Sequence, residues 1–199
     1  MQIIDHHLTT DDYEPIPLVS SPFVYPRPPL PEFVIIHYTA GYKGALNCAQ
    51  WFRNPLAFCS AHVIIGRDGA VVQCVPFDRM AWHAGASRYG KRTSLNRYSF
   101  GIELDNFGYV YARGGKWQRD GHTVANEEVM TAKHKNPLVR DVRGWQTYTA
   151  PQLEAAADVC RALLREYGPM QIVGHDDIST SGKLDPGPAF DWELFRAML

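Results

Sequence analysis

Residues 174–188 bring three side chains that could do chemistry close together in the sequence: His175, Lys183 and Asp185. The apolar residues 171–173 before them predict a short buried strand, which would leave His175 at a strand end. The small and polar residues that follow predict a loop, and the Pro-Gly-Pro after Asp185 restricts its movement. An imidazole and a carboxylate can bind a dication, and an ammonium group beside them can stabilise an anion.

His37 is the best candidate for a third ligand, because it ends a second apolar run at residues 33–37 and precedes a small-polar stretch. Two buried strands that each end in histidine before a loop are typical of neighbouring strands in one sheet. The set His37, His175 and Asp185 would leave a fourth position open for water, as in catalytic zinc sites. Either histidine alone is more often a satisfied, partly buried residue, but the combination with Lys-x-Asp-Pro-Gly favours a metal.

Residues 77–98 have the composition of a long loop that carries aromatic and polar groups. Rings can stack on sugar faces and polar tips can bond to amides, so this loop suits a sugar-peptide ligand. The predicted substrate-binding residues are Trp82, His83, Arg88 and Asn96. Packing of Trp82 in the core is an equally good interpretation.

The rest of the chain predicts a single α+β domain with a central mixed β-sheet flanked by α-helices. Helical spacing covers residues 44–54, and a capping box with proline opens another helix at residue 149. Asp68-Gly69 marks the turn of a hairpin over residues 60–75. Residues 1–32 read as an extended, Pro-rich leader. Residues 109–148 show no clear period, and we expect an insertion near the rim of the site, with its histidines solvated.

Composition restricts the class of protein and its partners. The 199 residues suit one domain, and 45% apolar and 21% charged residues are ordinary for a globular protein. The formal net charge of −1 shows no excess of basic residues, which argues against a nucleic-acid-binding protein. No apolar run is long enough to span a bilayer. The first residues lack the features of a secretory signal, so we expect a cytoplasmic protein as synthesised. A monomer and four free thiols are the simplest expectations.

Five stretches of the chain, taken in order, resemble one family. They are FVIIHYTAG at residues 33–41, SAHVIIGRDG at 60–69, AWHAG at 81–85, SFGIEL at 99–104 and KLDPGP at 183–188. Together they are similar to the zinc N-acetylmuramoyl-L-alanine amidases of the AmpD type, relatives of T7 lysozyme and the peptidoglycan recognition proteins. The resemblance covers nearly the whole chain except about residues 109–148, which compact members of the family lack.

The resemblance implies hydrolysis of the amide between N-acetylmuramic acid and L-alanine, in peptidoglycan or in soluble muropeptides. It also implies action on the cell wall if the protein is delivered as a lysin or effector. Zn²⁺ on His37, His175 and Asp185 would polarise the carbonyl. Glu103, a carboxylate within a predicted apolar strand, would be the general base, and Lys183 would stabilise the oxyanion. An ion pair with a surface Lys or Arg is the alternative for Glu103. A noncatalytic peptidoglycan-binding module and a zinc peptidase acting within the stem peptide are the alternative functions.

Overall fold

A computed structural model of the protein describes residues 1–26 and 30–199, so residues 27–29 of the Pro-rich leader lie outside the described residues. The helices are α1 (Ala45–Arg53), α2 (Ala150–Tyr167), α3 (His175–Ile178) and α4 (Trp192–Ala197). The strands are β1 (Gln2–Ile4), β2 (His7–Thr9), β3 (Val24–Pro26), β4 (Phe33–Tyr38), β5 (Val63–Ile65), β6 (Val71–Gln73), β7 (Arg79–Ala81), β8 (Arg88–Tyr89), β9 (Arg92–Thr93), β10 (Ser99–Leu104), β11 (Tyr109–Arg113), β12 (Lys116–Arg119), β13 (His122–Val124), β14 (Val129–Lys133), β15 (Val142–Gln146) and β16 (Gln171–Gly174).

The central sheet has the strand order β16-β4-β10-β5-β6. Its first four strands run parallel, and β6 returns antiparallel to β5 as the predicted hairpin. Both β4 and β10 are buried along nearly their whole length, which explains why they read as continuous apolar runs in the sequence. The predicted α+β domain with a central mixed sheet is confirmed.

Alternation along the strands sends neighbouring side chains to opposite faces of this sheet. The register partners Ile36, Ile102 and Val63 belong to the main core cluster, together with the apolar stripe of α2. The other face carries the register partners His37, Glu103 and Ile64, and Ile64 packs against α1. The period of two therefore places His37 and Glu103 on one face of the sheet, away from α2.

Helix α2 begins and ends where its sequence signals predict. The Gln152 N–H donates to the Thr149 hydroxyl over 3.3 Å, and Pro151 occupies the first turn, where its missing N–H costs nothing. Gly168 follows the last helical residue with a φ of 87°, a conformation that favours glycine. None of the helices in the described part of the chain is both long and apolar enough to cross a bilayer.

Residues 109–146, where the sequence shows no period, form a second five-stranded sheet of antiparallel pairs with the order β13-β12-β11-β15-β14. Its strands are short and largely exposed, so the alternation of apolar and polar residues is too weak to recognise in the sequence. Trp145 is fully buried, and Gly187 lets it approach closely, since a Cβ there would meet the Trp145 ring at 2.8 Å. The expectation that His134 is solvated is wrong, because it is only 3% exposed.

The first 26 residues are also folded onto the domain. Strands β1 and β2 form a hairpin, and β3 pairs antiparallel with β7. Leu8 is buried in the main core cluster, and Ile3 and Ile16 pack against it. The described part of the leader therefore buries apolar side chains as well as running along the surface.

We expect Trp145→Ala to lower the free energy of unfolding by about 3–5 kcal/mol, because it removes a large buried ring and leaves a cavity. Leu138→Ala is the matched control, since Leu138 belongs to the same segment but is 82% exposed. Urea unfolding of both variants measures the difference. Equal stabilities would contradict the assignment of Trp145 to the core.

Candidate active site

The candidate ligands meet where two parallel strands end side by side. In the register of β16 and β4, Gly174 lies opposite Ile36, so His175 follows at the level of His37. The loop carrying Asp185 folds back to this edge, and the Asp185 carbonyl accepts a hydrogen bond of 2.7 Å from the Asp176 N–H. Topology thus joins residues that are far apart in the sequence.

Three atoms that could bind a metal ion converge at this edge of the sheet. His37 Nδ1 lies 2.8 Å from Asp185 Oδ2, His175 Nδ1 lies 2.9 Å from the same oxygen, and the two Nδ1 atoms are 3.1 Å apart. All three side chains are buried. Separations near 3 Å are those between neighbouring ligand atoms around a small dication, whose bonds to nitrogen and oxygen are about 2.0–2.2 Å long.

The hydrogen bond made by the second nitrogen of each imidazole determines the tautomer of the ring. It therefore determines whether Nδ1 carries a proton or a lone pair. His175 Nε2 lies 3.3 Å from the Ala84 carbonyl oxygen, which can only accept. In the neutral ring the proton therefore sits on Nε2, and Nδ1 presents its lone pair to Asp185.

A chain of hydrogen bonds assigns His37 in the same way. The Ser99 hydroxyl donates to the Leu95 carbonyl over 2.6 Å, so it accepts from His83 Nε2, which lies 3.2 Å away. His83 Nδ1 is then an acceptor, and His37 Nε2 donates to it over 3.0 Å. The His37 proton is thereby placed on Nε2, and Nδ1 carries a lone pair. Gly101 allows this contact, because a Cβ there would lie 2.5 Å from the His83 ring.

The protonation states complete a donor set that fits a divalent metal ion. Burial, helped by the neighbouring His175, lowers the pKa of His37 to about 4. Burial alone would raise the pKa of Asp185, but the adjoining imidazoles of His175 and His37 hold it well below its usual range. Two imidazole nitrogens and one carboxylate oxygen then point their lone pairs at one another. A cation between them relieves that repulsion.

Glu103 lies beside His37 in the register of β10 and β4 and lines the same cleft. Its side chain is buried, and no donor among the described residues reaches Oε2. Burial raises the pKa of Glu103 to about 8, the Asp185 carboxylate adds to the rise, and Lys183 opposes it. A buried carboxylate oxygen without a partner is costly, and a water or substrate atom in the cleft would satisfy it.

Lys183 is exposed and also lines the cleft, two residues before Asp185. Its ammonium charge acts on both His37 and Glu103, since it lowers the pKa of each. A mobile cation at this place can meet negative charge that develops near the metal ligands.

The cleft has a volume of about 760 Å³. Its lining includes His83 but not Trp82, Arg88 or Asn96. Asn96, predicted to contact substrate, is 2% exposed, and its side-chain oxygen instead accepts from the His83 and Ala84 N–H groups over 2.9 and 2.6 Å. Trp82 and Arg88 are exposed nearby, and their contact with a ligand stays a prediction.

Sequence reasoning missed the residues that α1 and the antiparallel sheet add to the cleft. They are Asn47, Cys48, Trp51, Phe52, Tyr109 and Arg119. The apolar spacing of α1 indicated its core face, but no pattern indicated which of its other residues border a cleft. Residues 109–148 carry many charged and aromatic residues, so composition alone does not single out Tyr109 or Arg119.

The antiparallel sheet also holds the loop that bears the ligands. His134 Nδ1 accepts from the Asn136 N–H over 2.9 Å, so Nε2 is the donor. His134 Nε2 lies 3.0 Å from the Asp176 carboxylate and 3.1 Å from the Leu184 carbonyl oxygen. These partners are the chain neighbours of His175 and Asp185. His134 therefore links the two segments that carry those ligands.

We expect His83→Ala to weaken metal binding by about 10- to 100-fold, because it removes the acceptor that fixes the His37 tautomer. Titration of Zn²⁺ against a chromophoric chelator measures the change. His62→Ala is the matched control: His62 is also buried, and it hydrogen-bonds to the Gly101 N–H and the Arg79 carbonyl. Equal affinities in the two variants would contradict the positioning role of His83.

Comparison with known proteins assigns the chain to a family. The family model for N-acetylmuramoyl-L-alanine amidases (Amidase_2) matches residues 26–188. The 1,6-anhydro-N-acetylmuramyl-L-alanine amidase AmpD of Escherichia coli is 37% identical over 142 residues, which are 70% of this chain and 58% of that protein. The chain thus spans less than two thirds of the length of this curated relative.

Solved structures share the fold. The crystal structure of a selenomethionine AmpD derivative superposes with a TM-score of 0.70 at 28% identity, and the match covers 100% of this chain and 99% of that one. The amidase AmiD of E. coli, solved with anhydro-N-acetylmuramic acid-L-Ala-D-gamma-Glu-L-Lys, has a TM-score of 0.62 at 24% identity over 86% of this chain and 58% of its own. The chain belongs to the N-acetylmuramoyl-L-alanine amidase family.

Proposed function

We propose that this protein is a zinc-dependent amidase that hydrolyses the bond between N-acetylmuramic acid and L-alanine in muropeptides. The observation that carries the proposal is the convergence of His37 Nδ1, His175 Nδ1 and Asp185 Oδ2 beside a buried carboxylate in an open cleft. Family membership supplies the substrate class, because AmpD and AmiD are named for this reaction.

Zinc fits the donor set better than a hard cation does, since two of the three ligands are imidazole nitrogens. Three protein ligands are the number that catalytic zinc sites use, and His37, His175 and Asp185 would supply them. When bound, such an ion supplies Lewis-acid chemistry, polarising a carbonyl oxygen and activating water.

Glu103 is the proton carrier in this proposal. Glu103 lines the cleft beside His37, where its carboxylate could take a proton from the attacking water. The same carboxyl would then return that proton to the nitrogen of L-alanine as the amide C–N bond breaks. A base that must become an acid benefits from a raised pKa, which burial gives Glu103.

Lys183 would bind the developing oxyanion. The carbonyl oxygen gains negative charge only in the tetrahedral transition state, so a cation placed there lowers the barrier more than it strengthens substrate binding. Its exposed position on the loop leaves the ammonium group free to approach that oxygen.

Removal of the metal tests the reaction class. We expect chelation to abolish cleavage of anhydro-N-acetylmuramyl tripeptide and added Zn²⁺ to restore it, because the ion supplies the electrophile. Mass spectrometry of the products identifies the bond, and the expected products are the free tripeptide starting with L-alanine and the free anhydro-sugar. Products cut within the stem peptide would indicate a peptidase. Binding without cleavage would indicate a noncatalytic module, and full activity without zinc would reject the proposal.

Separate substitutions test the two catalytic roles. Glu103→Gln keeps the shape of the side chain but removes the base, so we expect kcat to fall by about 10²–10⁴-fold with zinc content unchanged. Lys183→Met should lower kcat more than it raises KM, also with zinc retained. Asp185→Asn is the control that should lose zinc. Full activity of Glu103→Gln, or zinc loss in Lys183→Met with the fold intact, would contradict these assignments.

A further inference from the structure

Arg119 ends strand β12 and brings a guanidinium group into the cleft from the antiparallel sheet. Its side chain is only 14% exposed. Lys43 and Lys183 also line the cleft, but both are exposed, whereas Arg119 is largely enclosed. Buried arginines are usually paired with an anion, so the partners of Arg119 show whether its charge is neutralised.

The guanidinium is held in one orientation by the backbone of the same sheet. Nη1 donates to the carbonyl of Phe107 and, over 3.1 Å, to the carbonyl of Tyr109. The group also lies over the Tyr109 ring, 4.2 Å from its centroid. These contacts fix the planar group before any ligand arrives, so little side-chain entropy remains to be lost on binding.

These contacts leave the charge of Arg119 poorly compensated. Among the residues that the structure describes, its ion pair is with Asp120, whose carboxylate is 3.6 Å from Nε and 76% exposed. An exposed pair at that distance contributes little. Backbone carbonyls and an aromatic ring orient a cation but do not neutralise it. The arrangement therefore favours an anionic group in the cleft, and a carboxylate matches the planar guanidinium.

Arg119 is one side chain away from the metal ligands. Tyr38 follows His37 on β4 and lines the cleft. Burial raises the pKa of its hydroxyl, and the charge of Arg119 opposes that rise. Gly108 allows this approach of the antiparallel sheet, because a Cβ there would lie 2.3 Å from the Tyr38 ring. A ligand group close to the scissile bond could therefore contact Arg119.

The proposed substrate class has a carboxylate at that place. The ligand of AmiD contains D-glutamate joined through its γ-carboxyl, directly after L-alanine. A γ-linked glutamate keeps its α-carboxylate free, one residue beyond the alanine whose amide would be cleaved. We propose that Arg119 binds this α-carboxylate, so that the antiparallel sheet makes the enzyme prefer γ-glutamyl over amidated (isoglutaminyl) stem peptides. This inference rests on the proposed function.

The test combines enzyme variants with matched substrates. The zinc-loaded full chain, Arg119→Met, Arg119→Lys and Lys116→Met are each assayed with three anhydro-muramyl tripeptides. One carries the free α-carboxylate on glutamate, one is amidated there, and one is amidated only at the C-terminal carboxyl. Lys116 is the matched control, because it is an exposed cation on the same strand. Zinc content and thermal unfolding check that each variant is intact.

We expect amidation of the glutamate to lower kcat/KM of the wild type by about 10- to 100-fold, since a charge-assisted hydrogen bond is lost. Arg119→Met should show a similar loss with the free carboxylate and no further loss with the amidated peptide. Arg119→Lys should retain part of the preference, and Lys116→Met all of it. A wild type without preference, an Arg119→Met variant that keeps it, or a preference that follows the C-terminal carboxyl would overturn the inference.

Binding separates failure of the subsite from failure of the proposed reaction. Calorimetry with the tripeptide L-Ala-D-γ-Glu-L-Lys and its isoglutaminyl form measures the same carboxylate preference without hydrolysis. If no muropeptide is cleaved but Arg119→Met abolishes the preference in binding, the reaction is wrong and the subsite stands. If the wild type binds both tripeptides equally or neither, the subsite is wrong whatever the reaction.

Discussion

Mutual repulsion among three lone pairs is the constraint on which the site depends. His37 Nδ1, His175 Nδ1 and Asp185 Oδ2 lie within 3.1 Å of one another, and each presents an acceptor to the other two. In a buried place, where water cannot screen them, such an arrangement is stable only with a cation at its centre or with a proton shared between the groups. Hydrogen bonds on the far side of both imidazoles place the ring protons elsewhere, so the geometry favours the cation.

The fold provides this arrangement through three independent supports. Parallel pairing of β4 and β16 brings the two histidines to one edge of the sheet. The hydrogen bonds that run from His37 through His83 and Ser99 fix one imidazole, and the Ala84 carbonyl fixes the other. The antiparallel sheet supports the returning loop through His134. A site held by its surroundings in this way would need little rearrangement to bind a divalent metal ion.

The clustering of His37, His175 and Asp185 was predictable from the sequence because each follows a strong local signal. Two apolar strands that end in histidine, and a Pro-Gly-Pro after Asp185, give residue type and place together. The sequence singled out Glu103 because a carboxylate in an apolar strand is costly without a function, and the structure places it beside His37. The central sheet and α2 followed from long apolar runs and a clear cap.

The remaining features depend on contacts between distant parts of the chain. The short strands of residues 109–146 bury few side chains, among them Val110 and Trp145, so the alternation of apolar and polar residues is diluted. His134 looked solvated because its partners Asp176 and Leu184 lie more than 40 residues away in the sequence. Asn96 looked like a ligand contact because nothing local shows that its side chain binds two backbone N–H groups. Arg119 enters the cleft only because the antiparallel sheet packs beside β4.

The most direct test of the central claim is the identity of the coordinating nitrogens. NMR of the protein with ¹⁵N-labelled histidine and an NMR-active cadmium isotope in place of zinc detects metal–nitrogen coupling one ring atom at a time. We expect coupling of the cadmium to Nδ1 of both His37 and His175, with a proton on Nε2 of each ring. Coupling through Nε2, or to only one of the two histidines, would contradict it.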